Sequence, residues 1–420
     1  MDSIFDELRD SVATNSNAFK TKYINNKKNM DDLTKEFTKD ENLKLYFIRK
    51  GGLELLFTFM KKFPELLEIL EVFNNEEKYI IQINNIKGYN KLVNILFLSD
   101  EFSRNFSLVH FKKIVGILED SSQVEIVRKT LSQMKNFEKL FMASFNKFDI
   151  SKKETTENKD VIIILMHFFT FICNICYSSP DIRKQIAQDF SKIMEKLNLF
   201  SKEFKLDNLL NKNLLETILS FLTNMCCENE FRIQLIKEES FLTFLIDQLK
   251  SIRLLCSFTE EMVNIESSIN NKKSKNKDEI KFAYFDNFKE YEDLFEKIIC
   301  LLFNVSFKDE LNLFFIDKGL NEPLIFFIEK IFGVFYKEEN RKYFKDSKID
   351  FFKEFNQITF LRVVMITGKV TKNLPVYSDL QLSNIFNSLL KSSAFYQTIF
   401  DIMNIELYKI NTKLIDNNIK

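Results

Sequence analysis

Cys173 and Cys176 stand as a Cys-x-x-Cys pair, and the adjacent Cys226 and Cys227 follow about one repeat later. On paper these four thiolates make a zinc site. Such a site needs a turn that aims the sulfurs inward, and neither pair comes with a glycine-rich knuckle. Both pairs lie at the ends of apolar helical runs, where small, soft side chains pack well. Core packing is therefore the favoured reading, and no metal ligand is expected. All six cysteines, at 173, 176, 226, 227, 256 and 300, have apolar helical surroundings. That setting suits reduced thiols better than a disulfide frame.

The two histidines, His110 and His167, fall in separate segments, and no Ser or Cys nucleophile sits at a recognisable elbow. There is no P-loop and no Gly-x-Gly-x-x-Gly run. Carboxylates are abundant but follow the spacing of solvated helix faces, so pairs of them need no catalytic explanation. No catalytic or cofactor-binding residue is expected, and the chain is read as a non-enzyme.

The elements that would position any site are helices. Of 420 residues, 45% are apolar and 29% charged, which is the range of a chain that folds. Only 7 Gly and 4 Pro occur, and without these punctuators strands and hairpins give way to long helices with tight links. Sixty basic residues balance sixty acidic ones, so no long-range field draws the chain to phosphate backbones, and nucleic acid is not an expected partner. The 47 Phe, with many Ile, Asn and Lys, follow A/T-rich codons and need no functional appeal. The start, MDSIFDELRDSV, is acidic and amphipathic and is not a secretion signal, so the expected address is cytoplasmic. Val161 to Tyr177 is the one run that resembles a membrane span, but it is short of the roughly 20 residues needed. It also carries His167, Thr170 and Asn174, so a buried helix is expected and no membrane span.

Three segments align with one another: FFTFICNICYSSPDIRKQIAQDFSKIMEKL from Phe168, SFLTNMCCENEFRIQLIKEESFLTFLIDQL from Ser220, and CLLFNVSFKDELNLFFIDKGLNEPLIFFIEKI from Cys300. Each reads as an apolar helix ending near an Asn, a polar break, a second charged helix and a third apolar helix. The breaks hold stop and start signals: a Ser or Asp cap with Pro180 in the first turn, and Gly319 as a C-terminal stop. Weaker copies run from Glu41 to Met60, around Gly51 and Gly52, and from Asn85, around Gly88. A degenerate closing unit is read from Phe360.

This pattern resembles the armadillo family, through Asn174-Ile175 with Arg183, Asn224-Met225 with Asn229 and Arg232, and Asn304-Val305 with Gly319. The resemblance implies an all-α fold, an armadillo-like α-α superhelix that is a right-handed solenoid of helical repeats. The expected layout is an N-terminal helical cap over 1–40, degenerate repeats over 41–150, armadillo-like repeats over 151–335, and degenerate repeats with a cap over 336–420. The Asn224 to Asn304 spacing is nearly two units, and the excess is a charged insertion at 264–285 whose NNKKSKNKDE stretch, 270–279, reads as a solvated loop, with a basic contact loop as the alternative. Polar insertions at 151–160 and 337–348 read the same way.

Spacings of three and four place side chains on one helix face. His167, Thr170 and Asn174 follow that spacing, as do Thr217, Ser220 and Asn224, and again Lys297, Cys300 and Asn304. In the family this helix lines a concave groove, so the resemblance makes these residues a groove that holds an extended or helical segment of a protein partner. The other reading is that each Asn cross-links adjacent helices and touches no ligand. Import adaptors of the family place a Trp four residues before the Asn. Here those positions are Thr170, Ser220 and Cys300, and the chain has no Trp, which argues against that activity. The competing expectation is a structural subunit of a large assembly held through its loops, or a cofactor similar to the myosin-chaperone type.

Overall fold

The computed structural model describes residues 27–97, 106–134, 137–147, 159–269, 276–306, 310–327, 359 and 362–367. Among these residues every regular element is helical. In chain order they are α1 (Lys27–Lys39), α2 (Glu41–Arg49), α3 (Gly52–Phe59), α4 (Leu67–Phe73), α5 (Glu77–Asn85), α6 (Gly88–Phe97), α7 (Leu108–Ser122), α8 (Glu125–Ser132) and α9 (Phe137–Lys147). They continue as α10 (Lys159–Ser178), α11 (Pro180–Ala187), α12 (Phe190–Glu203), α13 (Leu209–Met225), α14 (Asn229–Leu235), α15 (Glu239–Ile269), α16 (Asn276–Val305), α17 (Glu310–Asp317) and α18 (Asn321–Phe326). The three aligned segments are the triplets α10–α11–α12, α13–α14–α15 and α16–α17–α18, each with a short middle helix.

Local chemistry fixes where these helices start and stop. Asp40 caps α2, its Oδ1 accepting from the N–H groups of Asn42 (2.9 Å) and Leu43 (3.1 Å). Ser179 caps α11 by accepting from Ile182, with Pro180 in the first turn. Asn208 caps α13 through Leu210 and Asn211. Gly319, at φ +72°, ends α17 with paired bonds from Leu320 N–H to the Phe315 carbonyl and from Gly319 N–H to the Ile316 carbonyl. Gly51, at φ +81°, makes the turn into α3.

The chain forms two compact units, residues 1–231 and 232–420. In the first, the packing repeats. α4 packs on α1 and α7, α7 on α10, and α10 on α13; the short α5 packs on α8; α6 packs on α3 and α9. α7 and α10 thus each meet the equivalent helix before and after them. The fill is aromatic: Phe141 lies 5.6 Å from Phe168 and 5.7 Å from Phe221 between ring centres, and Phe169 lies 5.6 Å from Phe221. Phe141, Phe168, Phe169 and Phe221 are fully buried, and each such ring pair adds about 0.5–1.5 kcal/mol beyond its buried area. In the second unit α15 packs on α16 and α18, around Phe288, Phe295 and Phe327.

By length and composition alone α10 could cross a membrane, yet more than half of its most apolar window is buried against protein, with α7 and α13 among its neighbours. Within the charged stretch 270–279, residues 276–279 are the first turn of α16 rather than loop, because α16 begins at Asn276. Residues 270–275, the insertions at 151–158 and 337–348, and residues 1–26 of the N-terminal cap lie outside the described residues. Of the closing unit from Phe360, only 362–367 is described as helix.

Candidate partner-binding face

The helices α7, α10 and α13 each carry a partly exposed stripe with the same period. On α10 it runs through Ile163, Met166, His167, Thr170, Cys173, Asn174 and Tyr177, while the intervening Phe168, Phe169, Phe171, Ile172 and Ile175 are buried. On α13 it runs through Asn213, Glu216, Thr217, Ser220, Thr223 and Asn224, and on α7 through Lys112, Lys113, Gly116, Glu119 and Asp120. Because the stacked helices share this register, six of the residues expected to line a groove, His167, Thr170, Asn174, Thr217, Ser220 and Asn224, lie on neighbouring helices of one unit.

Their hydrogen bonds turn inward. The Thr170 hydroxyl donates to the Met166 carbonyl (3.0 Å), Thr217 to Asn213 (2.8 Å) and Ser220 to Glu216 (3.0 Å), each four residues back in its own helix. The amides bridge helices instead. Asn174 Nδ2 donates to Ser122 Oγ at 2.9 Å, joining α10 to α7. Asn224 Nδ2 donates to the Cys173 carbonyl at 3.2 Å and reaches its Sγ at 3.0 Å, joining α13 to α10. His167 Nδ1 bonds Glu119, again linking α10 to α7. The cross-linking role of Asn is thus present at both positions, and the outer edges of the same side chains stay partly exposed.

Lys297, Cys300 and Asn304 sit on α16 in the second unit, each half-buried on that helix. Beside them Glu296 is 5% exposed, and its Oε2 has no hydrogen-bond partner. Burial pushes its carboxyl up to about 7, against the pull of Lys297 and Arg362.

A second repeating contact escaped the sequence reading. Arg128 and Arg183 each hold the fourth position of a short helix, in EIVR of α8 and PDIR of α11. Arg128 donates to the carbonyls of Ser122 and Gln123 at the end of α7, and to Ser178 Oγ at the end of α10 (2.8 Å). Arg183 donates to the Cys176 carbonyl at the end of α10 (2.6 Å) and to Glu228 Oε1 beyond α13 (2.9 Å). Each cation satisfies the carbonyl end of its own long helix and ties it to the next. The common signal is the Arg at the fourth position of each short helix; the Ser pairs before it stand at different distances, six positions from Ser122 to Arg128 and four from Ser179 to Arg183.

All six cysteines are unbridged. Cys176 is fully buried, and burial raises its thiol far above the ordinary range; Cys256, also buried, is pushed up to about 12. Among the described residues no group of three or more His, Cys, Asp or Glu could hold a metal ion. His110 accepts from Ser107 N–H at the start of α7 (3.1 Å), and burial lowers its pKa, in keeping with a neutral capping ring.

No family model matches the chain, and no curated protein matches it. Among solved structures, an engineered protein from a structural genomics consortium is 14% identical, with 97% of this chain and 99% of that one covered, at a TM-score of 0.37. A likeness at that level carries no argument about fold or function.

Proposed function

We propose that this chain is a non-catalytic adaptor or scaffold of the cytoplasm, with repeats of the armadillo type, that holds an extended or helical segment of another protein along the α7–α10–α13 face. The observation that carries the reading is the shared register of the three stripes. Partly exposed Thr, Ser and Asn side chains recur on α10 and α13, over a bed of Phe and Ile that keeps them in place, and Lys112, Lys113, Gly116, Glu119 and Asp120 continue the stripe on α7. A ladder of that kind suits a ligand with its own repeat, as a peptide backbone has. The long-short-third arrangement of helices and the Arg at the fourth position of the short helix support the armadillo type. The equal numbers of acidic and basic residues favour a protein over nucleic acid.

The test is selection of displayed random peptides on the full-length chain, followed by binding of the selected sequences to wild type and to a Thr170→Arg/Thr217→Arg variant. Both substitutions place bulk on the partly exposed stripe. Binders that lose at least tenfold in affinity, with helical circular dichroism unchanged, support the reading. Binders indifferent to the double variant, or the absence of any binder, overturn it.

A further inference from the structure

Arg128 and Arg183 hold the same place in successive repeats, yet their Nε groups end on different partners. Arg183 Nε donates to the Glu228 carboxylate at 2.9 Å, and Arg128 Nε donates to the Ser178 hydroxyl at 2.8 Å. Ser178 stands four residues after Asn174, and Glu228 stands four residues after Asn224. The serine therefore fills the position that a carboxylate fills one repeat later. The remaining acceptors are alike, being carbonyl oxygens at the end of α7 for Arg128 and of α10 for Arg183. The difference is one negative charge. Among the described residues no carboxylate pairs with Arg128, and the nearby Glu125 is bound to Lys129 at 2.6 Å. A guanidinium held by three neutral oxygens keeps its charge uncompensated.

Ser178 is also the hydroxyl that a second protein can reach. It is exposed, as is Tyr177 before it, and its oxygen accepts from Arg128 without donating to another described group. Its neighbour Ser179 precedes Pro180 but is 7% exposed and is engaged in capping α11. Ser179 is extended, at φ −130° and ψ 102°, so the chain leaves the helix directly after Ser178. A phosphate at the end of a helix meets unfavourable carbonyl dipoles. Glu228 stands just beyond the end of α13, however, so a junction of this kind accommodates an anion when an arginine faces it.

We propose that Ser178 is a phosphorylation site whose phosphate is clamped by Arg128, supplying at the α8–α10 junction the anion that Glu228 supplies one repeat later. A serine kinase transfers the γ-phosphoryl group of a nucleoside triphosphate to Oγ. The Oγ–P bond forms as the bond from that phosphorus to the bridging oxygen breaks, the hydroxyl proton passes to the kinase's base, and the nucleoside diphosphate leaves. The phosphate then takes the Arg128 N–H and ties α10 to α8 more firmly than a neutral hydroxyl does. The site stands whether or not the α10 stripe holds a peptide.

The test has two arms. In the first, the full-length chain is isolated from the cells that make it, with phosphatase inhibitors, and its phosphate is mapped by mass spectrometry; Ser178 is expected to carry it and Ser179 not. In the second, phosphoserine is placed at position 178 by codon reassignment, with Arg128 intact or as Arg128→Gln, and its phosphorus NMR signal is followed against pH. With Arg128 intact the phosphate is expected to lose its second proton at lower pH than in Arg128→Gln or in a free peptide of residues 174–182, because the guanidinium favours the dianion. Ser178→Glu, which needs no kinase, should raise the thermal midpoint by about 1–3 °C with Arg128 present and not with Arg128→Gln. An unmodified Ser178 in the isolated chain overturns the site. A phosphate that titrates as in the free peptide, or a Ser178→Glu effect that persists in Arg128→Gln, overturns the clamp.

Discussion

The amide of Asn224 reaches from α13 to the backbone carbonyl of Cys173 on α10, 3.2 Å away, one repeat earlier in the chain. Asn174 makes the equivalent reach from α10 to Ser122 on α7. Asn174 and Asn224 are therefore ties between neighbouring long helices. Asn224→Ala should cost about 1 kcal/mol of stability, the net worth of one such bond. Asn224→Asp should cost more, because a carboxylate has no hydrogen to give the Cys173 carbonyl. Urea unfolding of the two variants checks the order; equal stability for Asp and Asn would show that the bridge contributes nothing.

Arg183 and Glu228 form a pair whose side chains are only 12% and 14% exposed. Arg183→Ala strips that pair and the bond to the Cys176 carbonyl together, and about 3 kcal/mol is expected to be lost because a mostly buried carboxylate is left alone. Glu228→Gln keeps a neutral acceptor and should cost about 1 kcal/mol. A double-mutant cycle by chemical denaturation should give a coupling of about 1–2 kcal/mol.

Two glycines should respond to alanine with opposite signs. At Gly88 a Cβ would lie 2.6 Å from the Phe57 ring and 2.7 Å from the Ile83 methyl, so Gly88→Ala should destabilise by about 1–3 kcal/mol through overpacking. At Gly116 nothing is in the way, and Gly116→Ala should stabilise by about 0.5–1 kcal/mol through helix propensity. Thermal midpoints moving in the same direction would refute this contrast.

Glu296 sets a pH dependence in the second unit. Its folded-state pKa, about 7, lies above its ordinary 4.5, so the protonated form is favoured in the fold. Its contribution is fully present below pH about 4.5 and is lost as pH rises through 7, by on the order of 2–3 kcal/mol. Glu296→Gln should flatten that slope between pH 5 and 8 in urea titrations. An identical slope in wild type and variant would assign the pH dependence to other groups.

Cys227 is exposed, whereas Cys176 and Cys256 are buried with raised thiol pKa values. A maleimide reagent on the native chain should label Cys227 first, and should reach Cys176 and Cys256 only on unfolding. Mass spectrometry of timed digests reads the order directly.

The sequence by itself determined that the described chain is helical, where α11, α13 and α17 begin or end, and that Asn174 and Asn224 hold equivalent places. Those features are local: a cap, a proline or a left-handed glycine acts within a few residues, and a three-and-four spacing fixes one face of one helix. Only the tertiary structure decided that Asn224 bonds Cys173, that Arg183 meets Glu228, and that Glu119 stands beside His167. Those pairings join residues some 45 to 51 positions apart. They depend on how far one long helix slides along the next, which is set by the fit of Phe141, Phe168 and Phe221 between them. No local pattern encodes that slide, because the same stripe of residues is compatible with several registers until the buried rings select one.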